Sequence, residues 1–572
     1  MSLRFLGFSS CIAIASLWGL PARAGASPVV SPASELEPAS LFAQVDPGQD
    51  RFPEEPQFPV PLPEDGPPET PPTPPPAPLP SGADTPFTVT NIQVVGSSIF
   101  EDATLAAIVA PYENRELTLA ELQQAADAIT QRYLNEGYIT SRAIVSPQTV
   151  ADGIVQIEVL EGELEEITVE GTETLQDYVK VRIAQGGTRP LNQARLEDQL
   201  RLLRIDPMFD SVEASLRAGS GEGKSRLIVR VEEAATIGGS VFSDNYSPPA
   251  VGDVRVGGSL QFRNLAGLGD TLLGSTTWTT TGGSKVYELG YRVPISPMNG
   301  TLLLRMTPNN FEITDPNQPT FSLDTEGSTD IYEVSVRQPL VRTPRDEFAL
   351  SLGYRYREGS TLISGIITDA TTTHVLSFAQ DYLHRDIDGA WALRSQFRLG
   401  EEQQDDINGL TGSTDTFFSW IGQVQRVQRL SPNNLLLIQG SVQLTPSSLP
   451  GSEKFFAGGG LSVRGYDQNQ RFGDNGVRFS VEDQIVITRN DSGQPFFQIA
   501  PFIEGVYLWN DSERTEVTDN NFLLGTGMGF LLNITEDFNA RADFAYPLVD
   551  IEELATDDPP GLRFYFNIGY QF

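Results

Sequence analysis

From about residue 236 to the last residue the chain alternates apolar and polar side chains in short runs, with no helical period. The stretch SKVYELGYRVPI sets Tyr287, Leu289, Tyr291, Val293 and Ile295 against Val286, Glu288, Gly290 and Arg292. DEFALSLGYRYR repeats the pattern with Phe348, Leu350, Leu352, Tyr354 and Tyr356, and GAWALRSQFRLG with Trp391, Leu393 and Phe397. Runs of about 10 residues, apolar on one face and polar on the other, suit strands that cross a bilayer with the apolar face to lipid. Hydrocarbon satisfies no backbone hydrogen bond, so such a sheet must close on itself. Sixteen candidate strands start near residues 238, 255, 270, 284, 300, 328, 346, 373, 389, 416, 433, 475, 496, 522, 538 and 562. A large soluble β-sandwich or β-solenoid is the competing architecture.

Two observations favour a barrel. In the final run, LRFYFNIGYQF, Phe564, Phe566, Ile568, Tyr570 and Phe572 share one apolar, aromatic face, opposite Arg563, Tyr565, Asn567, Gly569 and Gln571. An aromatic last residue on that face resembles the terminal signal of outer-membrane barrels. The other end, MSLRFLGFSSCIAIASLWGLPARAGA, reads as a secretory signal peptide over residues 1–24. Arg4 supplies the positive region, Phe5 to Leu20 the apolar region, and Ala22-Arg23-Ala24 the small-residue cleavage site. Cys11, the only cysteine, falls inside that apolar region, which disfavours a lipoprotein reading and leaves the processed chain without thiols.

Between these parts the period changes. Residues 25–86 include PPETPPTPPPAPLP and read as a disordered, extended polyproline spacer, too poor in large apolar side chains to form a core. Residues 87–235 carry one pattern twice. The first copy runs from a strand, FTVTNIQVVG, through a helix, LTLAELQQAADAITQRYLNEG, to the strands YITSRAIVSPQ and GIVQIEVLEGEL. Thr118 and Glu121 are spaced as a capping box, Gly137 suits the position after the helix, and Leu119, Leu122, Ala126, Ile129 and Tyr133 make one apolar stripe. The second copy runs EEITVEG, LNQARLEDQLRLLR, FDSVEASLRAG, SRLIVRVEEA. Gly96 and Gly171 lie 75 residues apart, Leu117 and Leu191 74 apart. Each copy predicts a three-stranded sheet covered by one or more helices, with domains at 87–163 and 164–235 before a barrel at 236–572. The fold class is thus mainly β: a 16-stranded antiparallel transmembrane barrel behind two small α+β domains.

Composition narrows the chemistry. A formal net charge of −36 speaks against nucleic acid, whose binding requires a basic surface. His374 and His384 are the only histidines and are expected to be polar strand residues, so no metal site is expected. No nucleophile, phosphate loop or other catalytic constellation accompanies acidic pairs such as Glu482-Asp483, so neither an enzyme nor a cofactor is expected.

One loop departs from the polar norm. PSSLPGSEKFFAGGGLSVRGYDQNQRFGD lies between the strands near 433 and 475 and carries Phe455, Phe456, Leu461, Val463 and Tyr466. A loop that apolar must pack against something, and the barrel lumen is the space at hand. Arg464, desolvated there, needs a carboxylate. Glu504 in QIAPFIEGVYLW is the first choice of partner and Glu482 in RFSVEDQIVI the second. Losing one side of a buried ion pair costs roughly 3–5 kcal/mol, enough to make the contact a latch between loop and wall.

At Val463-Arg464-Gly465-Tyr466 the chain resembles the two-partner secretion (TpsB) transporters, the haemolysin secretion/activation proteins ShlB/FhaC/HecB, whose loop motif is V-R-G-[YF]. NLAGLGDTL (264–272) and YRVPI (291–295) are similar to early barrel segments of that family. The resemblance covers about 87–572 and implies two periplasmic POTRA domains and a 16-stranded barrel. It also implies that the arginine of the loop meets an aspartate in an F-x-D-x-G stretch of the inner wall. Phe502-Ile503-Glu504-Gly505 matches with Glu504 for the aspartate and Gly505 one place early. The N-terminal plug helix frequent in the family has no counterpart in the pattern of residues 27–86. The function implied is secretion: POTRA domains in the periplasm capture an unfolded exoprotein, which passes through a pore in the outer membrane of a Gram-negative-type bacterium. Lipid and the machinery that inserts barrels are the other partners implied. The alternatives are a factor that assembles other outer-membrane barrels and a passive porin-like channel.

Overall fold

The computed structural model describes residues 85–572 except 319–320, 408–411, 511–520, 536 and 552–560. The expected signal peptide, and all of the Pro-rich segment but its last two residues, lie outside the described residues. The chain divides into two units that meet at Ala234 and Ala235.

The first unit contains the repeat. Its first copy is β1 (Phe87–Val89), β2 (Asn91–Val95), α1 (Asp102–Val109), β3 (Arg115–Leu117), α2 (Leu119–Asn135), β4 (Arg142–Ile144) and β5 (Ile154–Leu160). The second is β6 (Glu163–Glu170), α3 (Gln176–Ile183), α4 (Gln193–Arg204), β7 (Phe209–Ala218) and β8 (Lys224–Glu233). The sheets have matching orders, β2-β5-β4 and β6-β8-β7, each with one parallel and one antiparallel pair. The cores are separate. Leu122, Ala125, Ala126, Ile129 and Tyr133 of α2 pack on Val155 and Ile157 in one, and α4 packs Leu196, Leu200 and Leu203 on Val229 and Val231 in the other.

The helix α2 forms as its ends dictate. The Thr118 side chain accepts from Glu121 N and the Glu121 carboxylate accepts from Thr118 N. At the other end Gly137 is left-handed (φ +84°), and bonds from Gly137 N to Leu134 O and from Tyr138 N to Tyr133 O close the last turn. The matched glycines have one steric cause. Gly96 and Gly171 are left-handed (φ +88° and +91°), and a Cβ would lie 2.5 Å from Val159 O in the first copy and 1.9 Å from Val231 O in the second. The copies are joined through Asn192. Its side chain caps α4 by accepting from Arg195 N and donates to Glu136 O at the end of α2.

Several expectations need adjustment. The first strand breaks at Thr90, because β1 leaves the sheet to pair with β3. The expected strand YITSRAIVSPQ shortens to β4. The last residues of GIVQIEVLEGEL open β6 of the second copy, so Glu163 belongs to that sheet. Leu119 is only half-buried. The short helices α1 and α3, whose apolar residues follow no clear period, were not anticipated.

In the second unit the described residues form sixteen strands that close into an antiparallel barrel. It begins with β9 (Ile237–Asp244), β10 (Arg255–Arg263), β11 (Thr271–Thr279), β12 (Ser284–Pro294) and β13 (Thr301–Glu312). Longer strands follow: β14 (Thr325–Arg342), β15 (Asp346–Ile363), β16 (Ile366–Arg385), β17 (Gly389–Gln404) and β18 (Thr414–Ser431). After β19 (Asn434–Leu444) a small ribbon intervenes, β20 (Phe455–Ala457) and β21 (Arg471–Gly473). The wall then resumes with β22 (Asn475–Arg489), β23 (Pro495–Trp509), β24 (Phe522–Asn533), β25 (Phe538–Pro547) and β26 (Arg563–Gln571).

The strand starts expected near 328 and 373 lie too late. β14 starts at Thr325 and β16 at Ile366, because both strands continue beyond the segment with an apolar face. A bilayer needs only about 9–11 tilted residues, and β14 to β18 have 16 to 20. The outward register is the apolar one read from the sequence: Tyr287, Leu289, Leu352, Tyr354, Trp391 and Phe397 are exposed while Val286, Glu288, Ala349 and Ala392 are buried. Along β26, Phe564, Ile568, Tyr570 and Phe572 are exposed, Phe566 is half-buried, and Tyr565 and Asn567 face inward and are buried. No helix of the described residues is long and apolar enough to cross a membrane. β26 closes on β9 from Asn567–Asp244 to Gln571–Ser240, and reciprocal backbone bonds between Gly239 and Phe572 extend the seam.

Candidate functional site

The 30 residues between β19 and β22 fold back into the unit instead of standing in solvent. Phe455, Phe456, Ala457, Val463 and Tyr466 are buried; Phe455, Val463 and Tyr466 pack on Val506, Leu508 and Leu523 of β23 and β24. Leu461, expected with them, is instead exposed. The ribbon β20–β21 stiffens the base of the loop, and its tip presents residues 463–466 to the wall.

Arg464 is buried against three carboxylates. Its Nη2 donates to Glu504 Oε1 at 2.7 Å and to Glu482 Oε2 at 3.0 Å, its Nε to Glu504 Oε2 at 3.1 Å, and its Nη1 to Asp543 Oδ1 at 3.1 Å. The backbone N of Arg464 also donates to Glu504 Oε2, at 2.8 Å. Beneath the guanidinium lies the Phe502 ring, with Cζ 3.4 Å from its centroid. That stacked, forked geometry is one that a lysine cannot reproduce. Arg541 completes the cluster. It donates to Glu482 Oε2 at 2.6 Å and to Asp543 Oδ2 at 2.9 Å, so three carboxylates share two guanidinium groups.

Neighbouring residues fix the tip. Gly465 N donates to the Tyr565 hydroxyl at 2.9 Å, and that hydroxyl donates to Tyr466 O at 2.6 Å. The Tyr466 hydroxyl donates to Val549 O at 2.8 Å. Asp467 pairs with Arg563. Gly525 of β24 lies under the turn, where a Cβ would be 1.9 Å from Arg464 O.

The structure thus brings Val463, Arg464, Gly465 and Tyr466 together with both candidate partners, Glu504 and Glu482. The contact is not the single ion pair anticipated, because inward side chains of β22, β23 and β25 converge on one point. Asp543, Arg541 and Tyr565 were not foreseen. NARADF carried a signal for two of them, since period two sets Arg541 and Asp543 on the face opposite Phe544. The aromatic face of β26 is remote in kind from this site: it points outward.

Family models match two parts of the chain: the ShlB-type POTRA domain over residues 87–162, and the haemolysin secretion/activation protein ShlB/FhaC/HecB over 223–504. Among curated proteins the chain is 24% identical over 518 residues to the outer membrane transporter CdiB of Escherichia coli O6:K15:H31, covering 86% of this chain and 84% of the relative. The heme/hemopexin transporter protein HuxB of Haemophilus influenzae strain 86-028NP is 27% identical over 191 residues, 32% of this chain and 34% of the relative. Among solved structures, CdiB from Escherichia coli superposes with a TM-score of 0.66 at 21% identity, over 87% of this chain and 93% of that one.

Proposed function

The chain is a member of the haemolysin secretion/activation family ShlB/FhaC/HecB, and from that premise we propose that it is the outer-membrane pore of a two-partner secretion system. The two α+β domains lie in the periplasm and receive an exoprotein that is still unfolded. Each sheet has two edge strands, β2 and β4 in the first and β6 and β7 in the second. Strand addition to such an edge supplies backbone hydrogen bonds without demanding a sequence. The cargo then crosses the outer membrane through the barrel. The sequence carries no nucleotide-binding motif, so folding of the cargo outside the cell supplies the driving force. Outer-membrane lipid around the apolar face, and the assembly machinery that inserts the barrel, are the remaining partners. The domain division that accompanies this reading is a signal peptide at 1–24, a spacer at 25–86, POTRA domains at 87–162 and 163–235, the boundary moved one residue from the expected 163/164 because Glu163 opens β6, and the barrel at 236–572.

The observation that carries the proposal is the Arg464 loop, folded inside a closed barrel and held by charge. Residues 463–466, Glu504 and Glu482 act as a latch that keeps the loop seated and is released or shifted for passage. Arg464→Ala is expected to abolish or strongly reduce secretion of the co-expressed exoprotein, while the barrel still inserts and keeps its heat-modifiable electrophoretic mobility. Normal secretion by that variant refutes the latch. Loss of many unrelated outer-membrane proteins on deletion of the gene refutes the secretion reading in favour of barrel assembly.

A further inference from the structure

Arg464 fixes the tip of the lumen loop, and the limb that enters the loop is fixed separately. That limb carries a buried charge of its own. Glu453 sits eleven residues before Arg464, in the short turn that precedes β20, and is only 2% exposed. A carboxylate so buried needs partners that outweigh its desolvation. It has two arginines from different wall strands. Oε2 accepts from Arg398 Nη1 of β17 at 2.8 Å, and Oε1 pairs with Arg355 of β15. Arg398 is itself held in place, donating to Ser419 Oγ and Gln443 Oε1 at 2.9 Å each.

The tip and the entering limb of the loop therefore meet the wall with opposite signs. Arg464 enters an acidic arc formed by β22, β23 and β25, and Glu453 enters a basic arc formed by β15 and β17. The arcs share no strand. A hairpin fixed at one of them could swing; one fixed at both is strapped across the lumen.

We propose that Glu453 is a second positioning residue of the lumen loop, an anchor of opposite charge that binds the entering limb to Arg355 and Arg398, so that the pore stays closed only while both anchors hold. This rests on reading the loop as the closure of a pore, and it adds that withdrawing the loop bares Arg355 and Arg398 on one arc of the wall and, on another, three carboxylates of which Glu482 and Asp543 still pair with Arg541.

The test uses the purified full-length chain in planar lipid bilayers, with ion conductance as the readout and no cargo present. Glu453→Gln is expected to raise the fraction of time spent in a high-conductance state about tenfold, a change equivalent to about 1.4 kcal/mol. Glu453→Lys should raise it further. Adding Arg398→Glu to Glu453→Lys restores opposite charges at the same net charge, and should return conductance towards that of the parent, which a packing role does not predict. Parent-like conductance in Glu453→Gln and Glu453→Lys overturns the proposal, as does a double variant that stays as open as Glu453→Lys. If Glu453→Gln does not fold, by loss of heat-modifiable mobility, the wall variants Arg355→Gln and Arg398→Gln decide. Opening in either supports the anchor, and parent-like conductance in both overturns it. Because conductance needs no exoprotein, a chain that secretes nothing yet opens on Glu453→Gln would refute the transport reading and leave the anchor standing.

Discussion

Glu504 accepts from both the backbone N and the guanidinium of Arg464, and removing its carboxylate measures the strength of the seat. It accepts four hydrogen bonds: from Arg464 N at 2.8 Å, Nε at 3.1 Å and Nη2 at 2.7 Å, and from Ser480 Oγ at 3.1 Å. A hydrogen bond to a charged group contributes about 1.5–3 kcal/mol, and breaking one side of a buried pair costs roughly 3–5 kcal/mol. Arg464 would keep Glu482 and Asp543, so the lower end applies: Glu504→Ala should cost about 3 kcal/mol, roughly a hundredfold in the ratio of seated to unseated loop. The assay is the rate of chymotrypsin cleavage after Tyr466, a site only 2% exposed while the loop is seated. A cycle with Arg464→Ala tests the assignment. Once the arginine is gone, Glu504 is a buried carboxylate without its main partner, so removing it as well should add little or even restore protection. Strictly additive effects of the two substitutions would show that Glu504 stabilises something other than the seat of Arg464, and would refute the reasoning.

Two further outcomes follow from contacts elsewhere. Gly525→Ala should unseat the tip without touching a charged group, since its Cβ would stand 1.9 Å from Arg464 O; faster cleavage after Tyr466 with all carboxylates intact is expected, and unchanged cleavage would mean that β24 yields instead. In α2, the backbone N–H of Thr118, donating to the Glu121 carboxylate, holds its pKa below the usual carboxylate value. A depressed folded value means that this contribution is full above the unfolded value, about 4.3, and is lost as pH falls through the folded one. Hydrogen exchange of the full chain should show the first turn of α2 losing protection on acidification below that value, and Thr118→Ala should cost about 1 kcal/mol at neutral pH. Equal protection at pH 7 and pH 3 would remove the carboxylate from the cap.

What the sequence made legible is what local physics dictates. Hydrocarbon forces an apolar side chain at every second position, so most barrel strands could be started from pattern alone. The pattern fails where that constraint ends. Thr325–Ser328 and Thr368–Thr372 continue their strands with no apolar face to mark them, so the starts expected near 328 and 373 fall inside β14 and β16. In the same way α2 announces itself through its stripe and both caps, whereas α1 and α3 pack through too few residues to show a period.

The site divides along the same line. An apolar stretch in a loop that should be polar exposes its own burial, and the carboxylates of the next two strands are the natural partners for its arginine. Asp543 lies 79 residues from Arg464, and the arginines that hold Glu453 lie 98 and 55 residues before it. Those distances close only through the register of the whole barrel, which no local period encodes. One trace was nonetheless present. Glu453 and Arg464 carry opposite charges and bracket Phe455–Val463, buried but for Gly460 and Leu461, and a segment that takes both signs into an interior requires a wall of matching opposite signs at each contact. The charge order along the loop thus prescribes the charge order around the barrel, and a relative that reversed one would have to reverse the other to keep its loop seated.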